Sequence, residues 1–247
     1  MKTTGNTVLI TGGGTGIGLA LAERLLKSGN TVIICGRRQD RLDSAKAKLP
    51  SLHVINCDIT KRKDRKSLLK GIKSNFKELN VLVNNAGIQR PINLSKGNAE
   101  LLKADDEIEV NLKAQIHLSA MFIPLLAARE SAIVMVSSGL GFVPMARVPI
   151  YSATKAALHS FTMSLRHQLK DTKIKVFELV PPMVHDTELK GKPLEKMDIS
   201  VSAAEVAEAT LKGLENDEYE ITVGSTKRWL SLSKTEADEA FRNVNSR

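Results

Sequence analysis

Thr7-Val8-Leu9-Ile10-Thr11-Gly12-Gly13-Gly14-Thr15-Gly16-Ile17-Gly18-Leu19-Ala20-Leu21-Ala22-Glu23-Arg24-Leu25-Leu26 changes its periodicity midway. Thr7 to Thr11 is a short apolar run rich in β-branched residues, whereas Ile17 to Leu26 repeats its apolar residues at helical spacing. The glycine cluster between them marks a turn. The order is strand, turn, helix. It recurs at Thr31 to Cys35, followed by a charged helical stretch over Asp40 to Leu49, and again at His53 to Cys57, followed by a basic helix. Further apolar runs lie at Val81 to Val83, Ala132 to Val136, Lys175 to Val180 and Tyr219 to Val223, most of them separated by long helical stretches. Continuous apolar strands suit a sheet covered on both faces, and strands alternating with helices imply parallel pairing through right-handed crossovers. The predicted fold is therefore α/β, a doubly wound Rossmann-type parallel sheet of about seven strands with helices on both faces.

A chain of 247 residues that is 42% apolar can bury one sizeable core. With no repeat, low-complexity segment or linker, residues 1–247 are expected to form a single domain. No run approaches the roughly 18 to 20 apolar residues of a membrane span, and Met1-Lys2-Thr3-Thr4-Gly5 lacks the apolar region of a signal peptide. A cytoplasmic location is the expectation. Cys35 and Cys57 are too few for a disulfide framework and stand in no His/Cys cluster, so both read as core residues and no metal site is expected. The net charge of +9 is densest at Lys61-Arg62-Lys63-Asp64-Arg65-Lys66. Leu68, Leu69, Ile72 and Phe76 continue that run at helical spacing, so the charges read as the solvated face of an amphipathic helix. Without aromatic interleaving or a recognition-helix pattern, nucleic-acid binding is not expected. Residues 230–247 form a polar tail, suited to an oligomer contact or to partial disorder.

In a glycine-rich turn between a strand and a helix, residues without Cβ let the backbone approach a pyrophosphate, and the helix N-terminus favours its charge. A glycine string alone is also compatible with an ordinary flexible turn. Gly12, Gly16 and Gly18, however, have the Thr-Gly-x-x-x-Gly-x-Gly spacing of the short-chain dehydrogenases/reductases. The resemblance continues through Asn84-Asn85-Ala86-Gly87, Asn111, Ser137-Ser138 and Tyr151-Ser152-Ala153-Thr154-Lys155, in the family's order and over nearly the whole chain. Within that family the chain resembles bacterial oxidoreductases encoded beside cell-wall D-alanylation functions, a neighbourhood that does not define a substrate.

Tyr151 and Lys155 are four apart on a helical stretch and so share a face. An adjacent ammonium favours the phenolate and should bring the tyrosine towards the range useful for proton transfer. By the resemblance, Tyr151 gives a proton to, or takes one from, the substrate oxygen while hydride moves to or from a nicotinamide ring. Lys155 would hold the nicotinamide ribose, Ser138 would bond the substrate carbonyl, and Asn111 would support a water relay from the lysine. Ser137 is the structural alternative to Ser138, since strand alternation gives the two opposite faces. Gly12, Thr15, Gly16, Ile17, Gly18, Asn85, Ala86 and Gly87 would line the cofactor, and Asp58 would meet the adenine edge or simply face solvent. His53, His117, His159 and His167 read as satisfied or surface histidines.

After the sixth strand the family pattern fails. Where Pro-Gly, a valine and then a threonine are usual, this chain has Pro181-Pro182-Met183-Val184-His185-Asp186-Thr187. Pro181 and Val184 remain placed for the nicotinamide, a contact from Thr187 is in doubt, and Met183 and His185 are substrate-contact candidates. Residues 188–199 read as a substrate lid. Phe142, Val143, Pro144, Met145, Val148 and Ile150 make the substrate region mostly apolar, which suits a carbonyl or alcohol on a greasy or ring-shaped body. The second strand ends Ile34-Cys35-Gly36-Arg37-Arg38 without the carboxylate that NAD enzymes place against the ribose. Arg37 first, and Arg38 second, are expected to bind a 2′-phosphate, making NADP(H) the expected cofactor and NAD(H) the alternative. Thr15 stands where NADP-preferring relatives often carry a basic residue. The resemblance implies a homodimer or homotetramer. A dinucleotide-sensing regulator without catalysis is the competing reading, and it would not require Ser138, Tyr151 and Lys155 together.

Overall fold

A computed structural model describes residues 1–187, 189, 200–236 and 239. The sheet strands are β1 (Thr7–Thr11), β2 (Thr31–Gly36), β3 (His53–Asn56), β4 (Leu79–Asn84), β5 (Ser131–Val136), β6 (Ile174–Val180) and β7 (Glu220–Thr222). All pair in parallel, in the order β3-β2-β1-β4-β5-β6-β7. The expected doubly wound sheet is present. Its order reverses between β1 and β4, so the strand C-termini on either side diverge and open a crevice there.

Two-sided burial explains the apolar strands. Val8, Ile10, Val32, Ile34, Val81 and Val83 enter one core with helices α1 (Gly16–Lys27) and α6 (Ala203–Glu215). The alternate residues Leu9, Ile33, Cys35 and Leu82 enter the other. That second face is covered by α3 (Arg62–Asn75), α4 (Ala114–Leu126) and α5 (Pro149–Gln168). Helix α2 (Gln39–Lys48) packs Leu42 and Ala45 into the first core.

Strand ends differ from the sequence reading by one or two residues. β4 begins at Leu79, ahead of Val81, because Leu79 pairs with Thr7 across a register shift. The basic run lies in α3 as expected, with one exception: Arg65 is buried, and its guanidinium donates to the Ile59 and Thr60 carbonyls at 2.6 and 2.9 Å. Both cysteines are buried free thiols. The start of the polar tail is ordered as α7 (Thr226–Thr235), while most of the rest, and all of the lid segment 188–199 except Leu189, lies outside the described residues. Among the described residues no helix is long and apolar enough to cross a membrane.

Candidate active site

The turn after β1 closes on itself tightly. Gly12 and Gly16 take left-handed backbone angles, with φ of +66° and +53°, which side chains with a Cβ rarely adopt. A Cβ on Gly12 would lie 2.8 Å from the Ala86 Cα, and one on Gly18 would lie 2.6 Å from both the Asn85 amide nitrogen and the Gly12 carbonyl. Asn85 pins this turn to β4. Its side-chain amide donates to the Thr11 and Gly12 carbonyls at 2.9 and 3.2 Å, while the Thr11 hydroxyl accepts from the backbone of Asn85 and Ala86.

A cleft of about 410 Å³ opens over the turn. It runs from Arg37, Arg38 and Asp58 past Gly12, Thr15, Gly16 and Ile17 to Asn85, Ala86, Gly87, Pro181, Tyr151 and Lys155. Thr187, the displaced threonine, also lines it, with its hydroxyl donating to the Val184 carbonyl at 3.1 Å. Asp58 is occupied locally by the Thr60 amide and hydroxyl at 3.0 and 2.7 Å. Partial burial works against its charge, but the Thr60 bonds and the Arg37 and Lys61 charges prevail and hold its carboxyl below the usual range. The cofactor fits this cradle: bare glycine backbone at a helix N-terminus, guanidinium groups at the β2 end, and no carboxylate at that strand end.

At the other end of the cleft, Pro149 starts α5 at a position where its missing N–H costs nothing. Tyr151 and Lys155 follow one turn apart, both buried. The Lys155 ammonium lies 5.6 Å from the centre of the Tyr151 ring and donates to the Val136 carbonyl at 2.7 Å. The Ser138 hydroxyl accepts from the Leu140 amide at 3.2 Å and is near enough to Tyr151 to work against the rise of its phenol, whereas the Ser137 hydroxyl turns to the Leu179 carbonyl at 3.4 Å. Next in the chain, Gly139 is packed so closely that a Cβ would lie 2.8 Å from the indole of Trp229 on α7. Asn111 is fully buried in a π-helical turn, Glu109–Lys113, that leads into α4. Its amide bonds both backbone groups of Ile88 at 2.9 Å and the Thr154 hydroxyl at 3.2 Å, which ties the loop after Gly87 to α5.

The electrostatics differ from the sequence reading. Burial pushes the Tyr151 phenol up to about 12, against the lowering effect of the Ser138 hydroxyl. Burial also drives Lys155 down to about 8, opposed by the charge of Glu178. Desolvation of the charged forms outweighs the mutual help of phenolate and ammonium.

Val184, Met183 and His185 do not border the cleft among the described residues. Val184 bridges to Val201, the Met183 carbonyl accepts from Val201, and His185 Nδ1 is 3.0 Å from the Ser200 hydroxyl. Phe142 packs its ring 4.4 Å from that of His159, and Val143 and Val148 are buried, so these three serve packing. Glu107 was not singled out in the sequence. It is fully buried one turn before Asn111, accepts from the Arg90 amide, and is pushed up to about 7 by burial. Its charge reaches Tyr151. Its position four residues before Asn111 on one helix face was the available signal.

This glycine turn, this Ser-Tyr-Lys grouping and this strand order together define a nicotinamide-dependent oxidoreductase, and the chain belongs to the short chain dehydrogenase family, which it matches over residues 6–198. Particular relatives can be given. The chain is 48% identical over 250 residues to the uncharacterized oxidoreductase DltE of Bacillus subtilis, covering 100% of this chain and 99% of that one. A short-chain dehydrogenase from Sphingobium yanoikuyae, solved in complex with NADPH, superposes with a TM-score of 0.80 at 27% identity, over 93% and 92% of the two chains. The bulky-bulky ketone specific alcohol dehydrogenase of Comamonas testosteroni gives a TM-score of 0.78 at 25% identity, over 93% and 91%.

Proposed function

We propose that this chain is an NADP(H)-dependent carbonyl reductase, with Tyr151 as the proton donor, Ser138 orienting the substrate oxygen, and Lys155 and Asn111 supporting the tyrosine. The observation that carries this reading is a buried Tyr151 with the Lys155 ammonium 5.6 Å from its ring centre, at the end of a cleft whose other end holds Arg37 and Arg38. A nicotinamide dinucleotide, when bound, supplies or accepts the hydride. The protein's own task is to hold a proton at the Tyr151 oxygen and to exclude water around it. A phenol pushed up to about 12 keeps its proton across the working range, the state that reduction needs. A carbonyl on a bulky apolar body is the substrate class we infer, supported by the likeness to the ketone-specific Comamonas enzyme. Screening a panel of such ketones and aldehydes, with NADPH consumption followed by absorbance, tests this directly. Turnover with none of them, by protein that binds NADPH, would favour a sensing role.

Cofactor choice has its own test. Replacing Arg37 with aspartate removes a guanidinium partner for a 2′-phosphate and sets a like charge beside it. NADPH binding should weaken by at least roughly tenfold, about 1.4 kcal/mol, with little loss for NADH. Equal affinities of the unaltered protein for the two cofactors, titrated at one ionic strength, would refute the assignment.

The rate of reduction should also depend on pH in a defined sense. Tyr151 keeps the donor proton up to about 12, but Lys155 holds its charge only below about 8. Both required states coexist on the acid side, so kcat/KM for reduction should fall as pH rises through about 8. A profile level to about pH 10 would show that Lys155 does not titrate in the active enzyme, since an unperturbed lysine loses its proton near 10.4.

A further inference from the structure

The buried positions of β6 are apolar except for Glu178, whose side chain is completely buried. Parallel register sets Glu220 of β7 beside it, and residues in register on neighbouring strands share a face of the sheet. That face is the one on which Ile174 and Val176 pack against α5. Like charges placed this way repel, and a carboxylate removed from water needs partners for its oxygens or a metal ion. Glu178 meets half of that need. One of its oxygens lies 2.8 Å from His159 Nδ1 on α5, while the other is buried with no hydrogen-bond partner among the described residues. The basic residues of α5 on either side of His159 are engaged elsewhere. Lys155, one turn before it, donates to the Val136 carbonyl, and Arg166, two turns after it, donates to the Val176 and Tyr219 carbonyls at 2.8 and 2.9 Å. Among the described residues no lysine or arginine forms an ion pair with Glu178 or Glu220. One donor atom from each of His159, Glu178 and Glu220 lies within 4.8 Å of the other two.

We propose that His159, Glu178 and Glu220 form a binding site for one divalent transition-metal ion, with zinc the best match. One imidazole nitrogen and two carboxylate oxygens make a ligand set that zinc accepts, with bonds of about 2.0–2.2 Å. Around a tetrahedral ion with such bonds, neighbouring ligand atoms stand about 3.4 Å apart. The 2.8 Å contact of His159 with Glu178 opens slightly to reach that value, and the separations of up to 4.8 Å close, both within the range of side-chain rotation. Calcium and magnesium fit less well, since they take six or more ligands, nearly all oxygen. The charges also balance. Two carboxylates neutralise the ion, and the ion removes the repulsion between Glu178 and Glu220 that their register creates. His159 and Glu220 are half-buried, which gives the ion a path from solvent and leaves the fourth position to water. Bound there, the ion ties β7, the last strand of the sheet, to the helix that carries Tyr151 and Lys155. The sequence holds no sign of the site, because each ligand comes from a different element.

The test is a calorimetric titration with zinc chloride of the full chain, stripped with EDTA and then freed of the chelator. One equivalent should bind with a Kd of about 10 μM or tighter. Glu220→Gln keeps the size of a half-buried side chain and should weaken binding at least about tenfold, since loss even of groups behind the ligands costs about 10–100-fold. Glu178→Gln and His159→Gln should do the same, and Glu220→Gln serves alone if the buried Glu178 variant does not fold. His167→Gln, exposed on the same helix, should bind zinc as the unaltered chain does. Saturating zinc should raise the Tm of the unaltered chain and leave that of Glu220→Gln in place, because only an ion bound to the native state stabilises it. Three results would each overturn the proposal: no binding at about 100 μM zinc, binding that survives Glu220→Gln, or binding lost in Cys57→Ser, which would put the ion on the buried thiols.

Discussion

Tyr151→Phe is expected to retain NADPH affinity and to lose about 10²–10⁴-fold in turnover, the range that a positioned general acid contributes. The substitution removes one oxygen and leaves the ring, which is buried beside Lys155. It therefore separates proton donation from packing. The Ser138 hydroxyl still accepts from the Leu140 amide at 3.2 Å, so the turn after β5 should keep its shape. Stopped-flow turnover on any carbonyl found in the screen, together with NADPH binding by fluorescence, checks both halves. A variant turning over at more than about a tenth of the parental rate would remove Tyr151 from the role of general acid.

Gly18→Ala should damage stability and cofactor binding together. The new Cβ would lie 2.6 Å from the Asn85 amide and from the Gly12 carbonyl, both parts of the network that pins the glycine turn. Backbone cannot swing aside as a flexible side chain can, so the expected cost is that of overpacking, about 1–3 kcal/mol. For a domain of this size each kcal/mol lowers Tm by about 2–4 °C. NADPH affinity should fall at least tenfold, about 1.4 kcal/mol, because the displaced turn is the cradle itself. Gly71→Ala in α3 is the control. No atom lies within 4 Å of a Cβ there, so it should stabilise the helix by about 0.5–1 kcal/mol. Calorimetry that finds both variants equally stable would mean that the turn is looser than its contacts indicate.

The parts of this molecule that could be read from the sequence are those where neighbours in the chain are neighbours in space. Thr7 to Thr11, the glycines after it, and Tyr151 with Lys155 each carry their meaning within a few residues. The alternation of strand and helix then orders them in one sheet. What was not legible depends on contacts between distant segments. Nothing near Glu178 in the run Lys175 to Val180 marks it out, and His159 reads as an ordinary satisfied histidine until β6 and α5 bring the two within 2.8 Å. Met183 and His185 follow the sixth strand closely enough to suggest substrate contact, but the pairing of Val184 with Val201, 17 residues away, could not be read from that spacing. The direction of the Tyr151 shift was misread for a similar reason. Spacing gives the ammonium next to the phenol, but not the depth of burial, and burial prevails.

The packing of Gly139 against Trp229 makes the chain its own optical reporter. There is one tryptophan in the sequence, and its indole rests on the residue after Ser138. Its emission therefore comes from a single site, at the joint between the C-terminal helix and the turn that carries the serine. Unfolding of that helix, or a movement of that turn when a ligand enters, would change the colour and intensity of one fluorophore without any label.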